Sequence, residues 1–147
     1  MLFLMALPLL ALVGCAPGPK FSGLQDVPSG RAELIVYRKS AFFAAGDSMY
    51  VFLDDNRIGQ LYNASFLQQP LLPGLHHVKV SPMLGSSAEK TIRISAGERQ
   101  FLHFEFPTGL TANAFYFGDT LKLRDEKTAL EDLKELSSAK PIAAARQ

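Results

Sequence analysis

The sequence predicts a mainly β protein, an antiparallel β-sandwich or curled barrel of about seven or eight short strands with one C-terminal α-helix. Short apolar segments with β-branched or alternating residues recur between residues 31 and 124, and turn residues separate them. The chain of 147 residues also contains 11 Gly and 9 Pro, which supply frequent turns. Helical spacing of apolar residues is found only near the C-terminus, so we expect a single helix there.

The strand predictions follow alternation and β-branched content along the chain. Residues 32–37 are apolar on both faces, which is typical of a central strand that is covered on two sides. Asp55 and Asn56 tolerate left-handed backbone, and we expect them to form a hairpin turn in which Leu53 faces Ile58. The predicted strands cover residues 32–37, 49–53, 57–61, 64–68, 75–80, 91–95, 100–106 and 119–124.

The predicted helix begins near Thr128. Thr128 and Glu131 match a capping box, in which each side chain satisfies a backbone donor of the other residue. Leu130, Leu133 and Leu136 then recur at three-residue spacing and form a narrow apolar stripe. We therefore expect this helix to pack on a sheet, as part of a β-sandwich domain over residues 31–138, and we expect a disordered tail at 139–147.

The N-terminus has the pattern of an export signal. Residues 2–13 form an uninterrupted apolar run, which is shorter than the roughly 20 residues of a membrane-spanning helix. Gly14 and the only cysteine, Cys15, follow this run. Residues 12–15, LVGC, resemble the lipobox of bacterial lipoproteins, and this resemblance implies that residues 1–14 are removed and that Cys15 is lipidated. An ordinary free or buried thiol is the alternative.

Location and organisation follow from the same resemblance. Ala16 stands where an Asp would signal retention in the inner membrane, so we expect a lipid-anchored envelope protein in the outer membrane, facing the periplasm. Residues 15–30 contain the anchor and are rich in Pro, Gly and Ser, which predicts a flexible tether. The net charge of +1 argues against a nucleic-acid partner, because such a partner requires a basic surface.

Five segments in order resemble one known family. They are LVGC, RAELIVYR, VFLDDNRIGQL, LLPGLHHVKV and IRISAGERQFLHFEF. Together they resemble the bacterial lipoproteins grouped as domain of unknown function 2846, over most of residues 15–136. The LLPGLH segment also resembles PEGA-type β-modules over fewer residues. The resemblance implies a lipid-anchored β-domain in the cell envelope, with no established activity and no catalytic residues to transfer.

The sequence contains no common catalytic motif, and we predict neither an enzymatic activity nor a cofactor. It lacks G-x-S-x-G, a P-loop, a dinucleotide fingerprint, H-E-x-x-H and C-x-x-C. His77 and His103, with Glu105, would form a zinc site if their strands were neighbours, which would suit a small metal-dependent or hydrolytic enzyme. We favour the alternative that these are ordinary polar residues on a solvated sheet face.

Two predicted loops contain clustered aromatic residues. Phe42 and Phe43 lie in one loop, and Phe115, Tyr116 and Phe117 lie in the other. If these aromatic side chains are exposed, they would bind an envelope protein, a glycan or a membrane surface. We favour the alternative that they close the ends of the core. The sequence as a whole predicts a non-enzymatic binding or support module at the membrane, with a structural subunit of an envelope complex as an alternative.

Overall fold

The computed structural model describes residues 18–42, 46–83, 85–106 and 120–139. These residues form two β-sheets and one short helix, which confirms the predicted fold class. The elements are β1 (Ala32–Arg38), β2 (Met49–Leu53), β3 (Asn56–Leu61), β4 (Ser65–Leu71), β5 (Gly74–Pro82), β6 (Ala88–Ile94), β7 (Arg99–Phe104), β8 (Leu121–Arg124), α1 (Glu126–Leu133) and β9 (Ser137–Ser138). None of the described helical structure is long and apolar enough to cross a membrane.

The strands form a sandwich of two separate sheets rather than one closed barrel in the described parts of the chain. The five-stranded sheet has the order β8-β7-β1-β4-β9, and the four-stranded sheet has the order β3-β2-β5-β6. Two pairs are parallel, β1 with β7 and β4 with β9, within a sandwich whose other strand pairs are antiparallel, as predicted. Long connections cause the two parallel pairs, because β7 and β9 return beside their partners from distant parts of the chain.

The main core lies between the two sheets. Leu34 and Val36 of β1 and Val51, Val78 and Val80 of the four-stranded sheet are completely buried in it. The inward positions alternate along each strand, as the sequence pattern predicts. The main core therefore buries one face of each sheet.

A second apolar layer covers the outer face of the five-stranded sheet. Ile35 and Tyr37 of β1 share one buried cluster with Ala129 and Leu133 of α1. Because both faces of β1 are covered, all seven of its residues are buried. The prediction that the first strand is central and covered on two sides is confirmed.

Residues 18–30 lie against the domain, whereas the sequence predicts a flexible tether over residues 15–30. The backbone amides of Gly18 and Phe21 donate hydrogen bonds to the carbonyl oxygens of Ser138 and Leu136, each at 3.0 Å. The Phe21 ring packs edge-on against Phe66, with ring centroids 5.6 Å apart. The Pro and Gly content of this segment predicted flexibility. Composition alone does not reveal that Phe21 packs on an apolar face of the sheet.

The C-terminal boundary also differs from the prediction. Ala139, where we expected the tail to begin, is buried, and its amide donates to the Phe66 carbonyl at 2.7 Å. This hydrogen bond continues the pairing of β9 with β4. The rest of the predicted tail, residues 140–147, lies outside the described residues.

The β2–β3 turn lies one residue earlier than predicted. Asp54 and Asp55 have φ values of 48° and 65°, so they are the two left-handed turn residues. Leu53 consequently pairs with Asn56 and does not face Ile58. The register shifts just before Phe52, and this bulge absorbs the difference.

The helix begins one turn earlier than predicted. Asp125 is the N-cap, and its Oδ1 accepts a hydrogen bond from the Thr128 amide at 2.9 Å. Thr128 therefore lies inside the first turn, and its hydroxyl donates to Asp125 Oδ2 at 2.7 Å. Glu131 does not complete a capping box but pairs with Lys134 at 2.7 Å. Asp is as good a cap as Thr, so residue type alone did not separate the two starts.

Candidate functional site

The residues that we predicted to anchor the chain or bind a partner fall mostly outside the described part. This set is Cys15, Phe43, Phe115, Tyr116 and Phe117. Phe42 is described, and its side chain is fully exposed, so Phe42 does not close the core. The amide of Ala41 donates to Asn63 Oδ1 at 2.9 Å, so the chain next to Phe42 is joined to the chain next to Tyr62, which is also exposed. We call this pair the aromatic corner.

The structure does not bring the predicted zinc ligands together. His77 lies on β5 in the four-stranded sheet, whereas His103 lies on β7 in the five-stranded sheet and Glu105 directly follows β7. The chain crosses between the sheets after β6, so β5 and β7 are not neighbours. Across residues 18–42, 46–83, 85–106 and 120–139, no group of three His, Cys, Asp or Glu side chains is arranged to hold a metal ion. The set His77, His103 and Glu105 is therefore not one site.

The two histidines also have different surroundings. His77 Nε2 lies 3.3 Å from Glu89 Oε2 on an exposed face, as expected for an outward residue. His103 is buried, and its ring stacks on Tyr37 with centroids 4.8 Å apart. The prediction of a solvated face for His103 is wrong, because α1 covers that face of the sheet.

A cluster of polar side chains surrounds His103 beneath α1. The Tyr37 hydroxyl donates to Asp132 Oδ2 at 2.9 Å, and Lys39 Nζ lies 2.6 Å from Asp132 Oδ1. Arg124 donates to Glu105 Oε1. His103 Nδ1 is 3.1 Å from the same oxygen, but the two are not aligned for a hydrogen bond. These contacts connect β1, β7 and β8 to one another and to the helix.

Burial and ion pairing shift the pKa values of two side chains in this cluster. Burial, together with the Asp132 carboxylate, raises the pKa of Tyr37 above its ordinary value. Although partial burial tends to raise the pKa of Asp132, Lys39 and the Tyr37 hydroxyl lower that pKa. Because Tyr37 and Lys39 both contact Asp132 of α1, we assign the cluster to holding α1 on the sheet.

A second polar cluster connects two turns at one end of the sandwich. Asp54 Oδ2 lies 2.6 Å from His76 Nδ1, and Asp54 Oδ1 accepts from the His77 amide at 2.8 Å. His76 Nε2 lies 2.8 Å from the Leu72 carbonyl oxygen. Although partial burial tends to raise the pKa of Asp54, the hydrogen bonds from His77 and His76 lower that pKa. Sequence reasoning missed this cluster, since only the tertiary structure brings the β2–β3 turn to the start of β5.

The outer face of the four-stranded sheet combines aromatic rings with cations. The Arg57 guanidinium lies 3.9 Å from the Tyr50 ring centroid, and Lys79 Nζ lies 4.7 Å from the Phe52 ring centroid. These four side chains form what we call the aromatic–cationic face. The alternation of Tyr50 and Phe52 with buried Val51 was the sequence signal for it.

A groove of about 480 Å³ lies between the N-terminal segment and β4. Its wall includes Glu33, which is buried. The Glu33 carboxylate accepts from Arg99 Nε and, at 2.6 Å, from Gln68 Nε2. Arg99 also donates to the Gln25 carbonyl oxygen. Because these groups are already paired with one another, we assign them to fastening the N-terminal segment.

Comparisons with known proteins do not add a family. The chain matches no protein-family model and no curated protein.

Proposed function

We propose that this chain is a lipid-anchored protein of the bacterial cell envelope, and that its β-sandwich is a non-enzymatic module that binds or supports another component at the membrane. The observation that carries the proposal is LVGC at residues 12–15, directly after an apolar run of export-signal length. A folded domain begins to pack only three residues later, at Gly18. A lipoprotein signal that is followed so closely by a folded domain supports attachment of that domain to the membrane surface.

The lipids on Cys15 are the proposed membrane attachment. Each buried methylene contributes about 0.8 kcal/mol, and one acyl chain gives only marginal binding, so stable attachment needs more than one chain. A lipoprotein cysteine that is lipidated on sulfur and acylated on its amino group satisfies this requirement without a spanning helix.

The first experiment is metabolic labelling with a palmitate analogue in bacterial cells. The native chain should incorporate the label and sediment with membranes, whereas Cys15→Ser should do neither. Ser22→Ala is the matched control, because it changes an exposed residue of the same segment and leaves the thiol intact. An unlabelled, soluble native chain would refute the anchor and the envelope location together.

The proposed location is the outer membrane, facing the periplasm. Ala16 follows the lipidated position, where an Asp would favour retention in the inner membrane. Separation of the two membranes should find the native chain in the outer fraction and Ala16→Asp in the inner fraction. Ala16→Ser should behave like the native chain. Native protein in the inner fraction would contradict this part of the proposal.

The aromatic–cationic face is the described surface that best suits a partner. Tyr and Arg are among the residues that contribute most energy at protein interfaces. An envelope protein or a glycan is the proposed partner class. A photoreactive amino acid at Tyr50 should form adducts in living cells, and one at Leu123 on the other sheet should not. A single dominant protein adduct would indicate a structural subunit, a range of adducts would indicate a general binder, and no adduct would refute binding at this face.

A further inference from the structure

The contacts of the N-terminal segment limit how far the domain can stand from its anchor. Gly18 and Ser138 are joined by a hydrogen bond of 3.0 Å, and the Ser138 amide donates to the Pro19 carbonyl at 2.9 Å. Lys20 then forms a β-bridge with Ser137. A Cβ on Gly18 would overlap the side chain and carbonyl oxygen of Ser138, so the backbones are in close contact. The segment extends the β9 edge of the five-stranded sheet.

Covalent geometry limits how far this edge can lie from the proposed anchor. Three residue steps separate Cys15 from Gly18, and a fully extended chain advances at most about 3.6 Å per residue. The Cα atom of Cys15 is therefore no more than about 11 Å from that of Gly18. The sixteen-residue tether expected from the sequence would have allowed a far greater distance.

The aromatic corner lies along the same edge, on the Lys20 side rather than the Gly18 side, because the N-terminal segment runs antiparallel to β9. Ser137 of β9 pairs with Ser65 at the start of β4, and Ser65 Oγ accepts from the Tyr62 amide at 2.8 Å. Tyr62 and Phe42 are both exposed there. Tyr has an apolar ring and a polar hydroxyl, a combination that is enriched where proteins meet the membrane–water interface.

We propose that the β9 edge and the aromatic corner rest on the lipid bilayer that holds Cys15, so that Phe42 and Tyr62 insert at the interface. This inference rests on the proposed lipid anchor. The occupant is a lipid surface because the short connection from Gly18 leaves the edge no room to stand away from the membrane. The β8 edge then lies farthest from the bilayer, four strand spacings or about 19 Å away from β9.

The test uses the full lipidated protein in vesicles of phosphatidylethanolamine and phosphatidylglycerol that contain a headgroup nitroxide lipid. Since Cys15 is the only native cysteine and carries lipid, a single introduced cysteine takes a fluorophore specifically. Lys20→Cys on the β9 edge is paired with Leu123→Cys on β8. Phe42→Cys at the aromatic corner is paired with Leu75→Cys, which lies on β5 in the four-stranded sheet. All four native residues are exposed, so labelling should not disturb the core.

We expect nitroxide quenching to be several-fold stronger at Lys20→Cys than at Leu123→Cys, and stronger at Phe42→Cys than at Leu75→Cys. Equal quenching within both pairs, in protein that carries lipid and sediments with the vesicles, would overturn the orientation and leave the anchor intact. Strong quenching at Leu123 alone would also overturn it. Native protein that carries no lipid and stays in the supernatant would refute the proposed function itself.

Discussion

Burial determines the charge state of His103. Its side chain is only 8% exposed beneath α1. Burial lowers the pKa of His103 below its ordinary value of 6.5. Glu105 and Asp132 oppose this change, whereas the cations Arg124 and Lys39 add to it. The ring therefore remains neutral in the folded protein at neutral pH.

We predict that this burial makes the protein less stable as the pH falls from about 7 to about 5. The unfolded chain binds a proton at His103 near its ordinary pKa, and the folded chain does so only at lower pH. The contribution to stability is therefore complete above that ordinary pKa and is lost as the pH falls toward the folded pKa. Urea denaturation across this range measures it.

Two variants isolate the contribution of His103. His103→Phe keeps a ring against Tyr37 without a titrating group, so its free energy of unfolding should fall less between about pH 7 and about pH 5. His103→Gln provides a second residue that does not titrate. If both variants kept the native pH dependence, His103 would not be its source.

The start of α1 illustrates how an element begins at a particular residue. Asp125 accepts hydrogen bonds from both the amide and the hydroxyl of Thr128. These bonds lower the pKa of Asp125, so the cap is charged at neutral pH. A negative charge at this end also interacts favourably with the helix dipole. Because Asp125 is the cap, the helix begins at Glu126, before Thr128.

We predict that Asp125→Ala lowers the thermal midpoint of unfolding, because the first turn loses its acceptor. Glu131→Ala serves as the comparison, since Glu131 is the partner in the capping box that the sequence suggested. Its exposed pair with Lys134 contributes at most about 1 kcal/mol. Circular dichroism during heating measures both variants. A larger loss in Glu131→Ala than in Asp125→Ala would favour a helix that begins at Thr128.

β3 and β4 contact each other across the sandwich at Gly59. A Cβ on Gly59 would lie 2.7 and 2.8 Å from the two methyl carbons of Leu67, which is buried. Gly59→Ala should therefore lower the free energy of unfolding by about 1–3 kcal/mol through overpacking. Gly46→Ala is the matched control, because nothing lies within 4 Å of its added Cβ. Equal effects of the two substitutions in urea denaturation would rule out this contact.

The pairing of β9 with β4 has a chemical limit in the sequence. The amides of Ser137 and Ala139 donate to the carbonyls of Ala64 and Phe66. The next donor at this spacing would be residue 141, which is a proline without an amide hydrogen. Residue 141 therefore has no backbone amide to donate to this ladder.

At the scale of the whole molecule, residues 18–30 belong to the folded domain. The Phe21 ring contacts Phe66 and helps to cover the outer face of the five-stranded sheet. Phe21→Ala should therefore lower the free energy of unfolding by about 1–2 kcal/mol. Phe42→Ala makes the same chemical change at a fully exposed ring and should have little effect. Equal, small effects in urea denaturation would indicate that the segment is a free tether.

Local patterns located eight of the nine described strands approximately and identified many inward side chains, but they missed β9 and ended the fourth strand before Pro70, whereas β4 continues to Leu71. Alternation identified Val78 and Val80 as core residues, and the apolar run of β1 identified a strand buried on both faces. These inferences succeed because the side-chain period of a strand reflects the burial of its two faces. The same local chemistry predicted the hairpin and the helix, displaced by one and three residues respectively because neighbouring Asp, Asn and Thr residues suit the same positions.

The sequence by itself determined a mainly β fold, the approximate strands, the single C-terminal helix and a candidate anchor at Cys15. Only the tertiary structure decided that β7 pairs in parallel with β1, that α1 covers His103, and that the N-terminal segment packs at the β9 edge. The physical reason is that the periodicity of apolar residues shows only which faces of a given strand or helix are buried. Which distant segment covers a face depends on how the sheets are assembled, and that assembly separated His77 from His103.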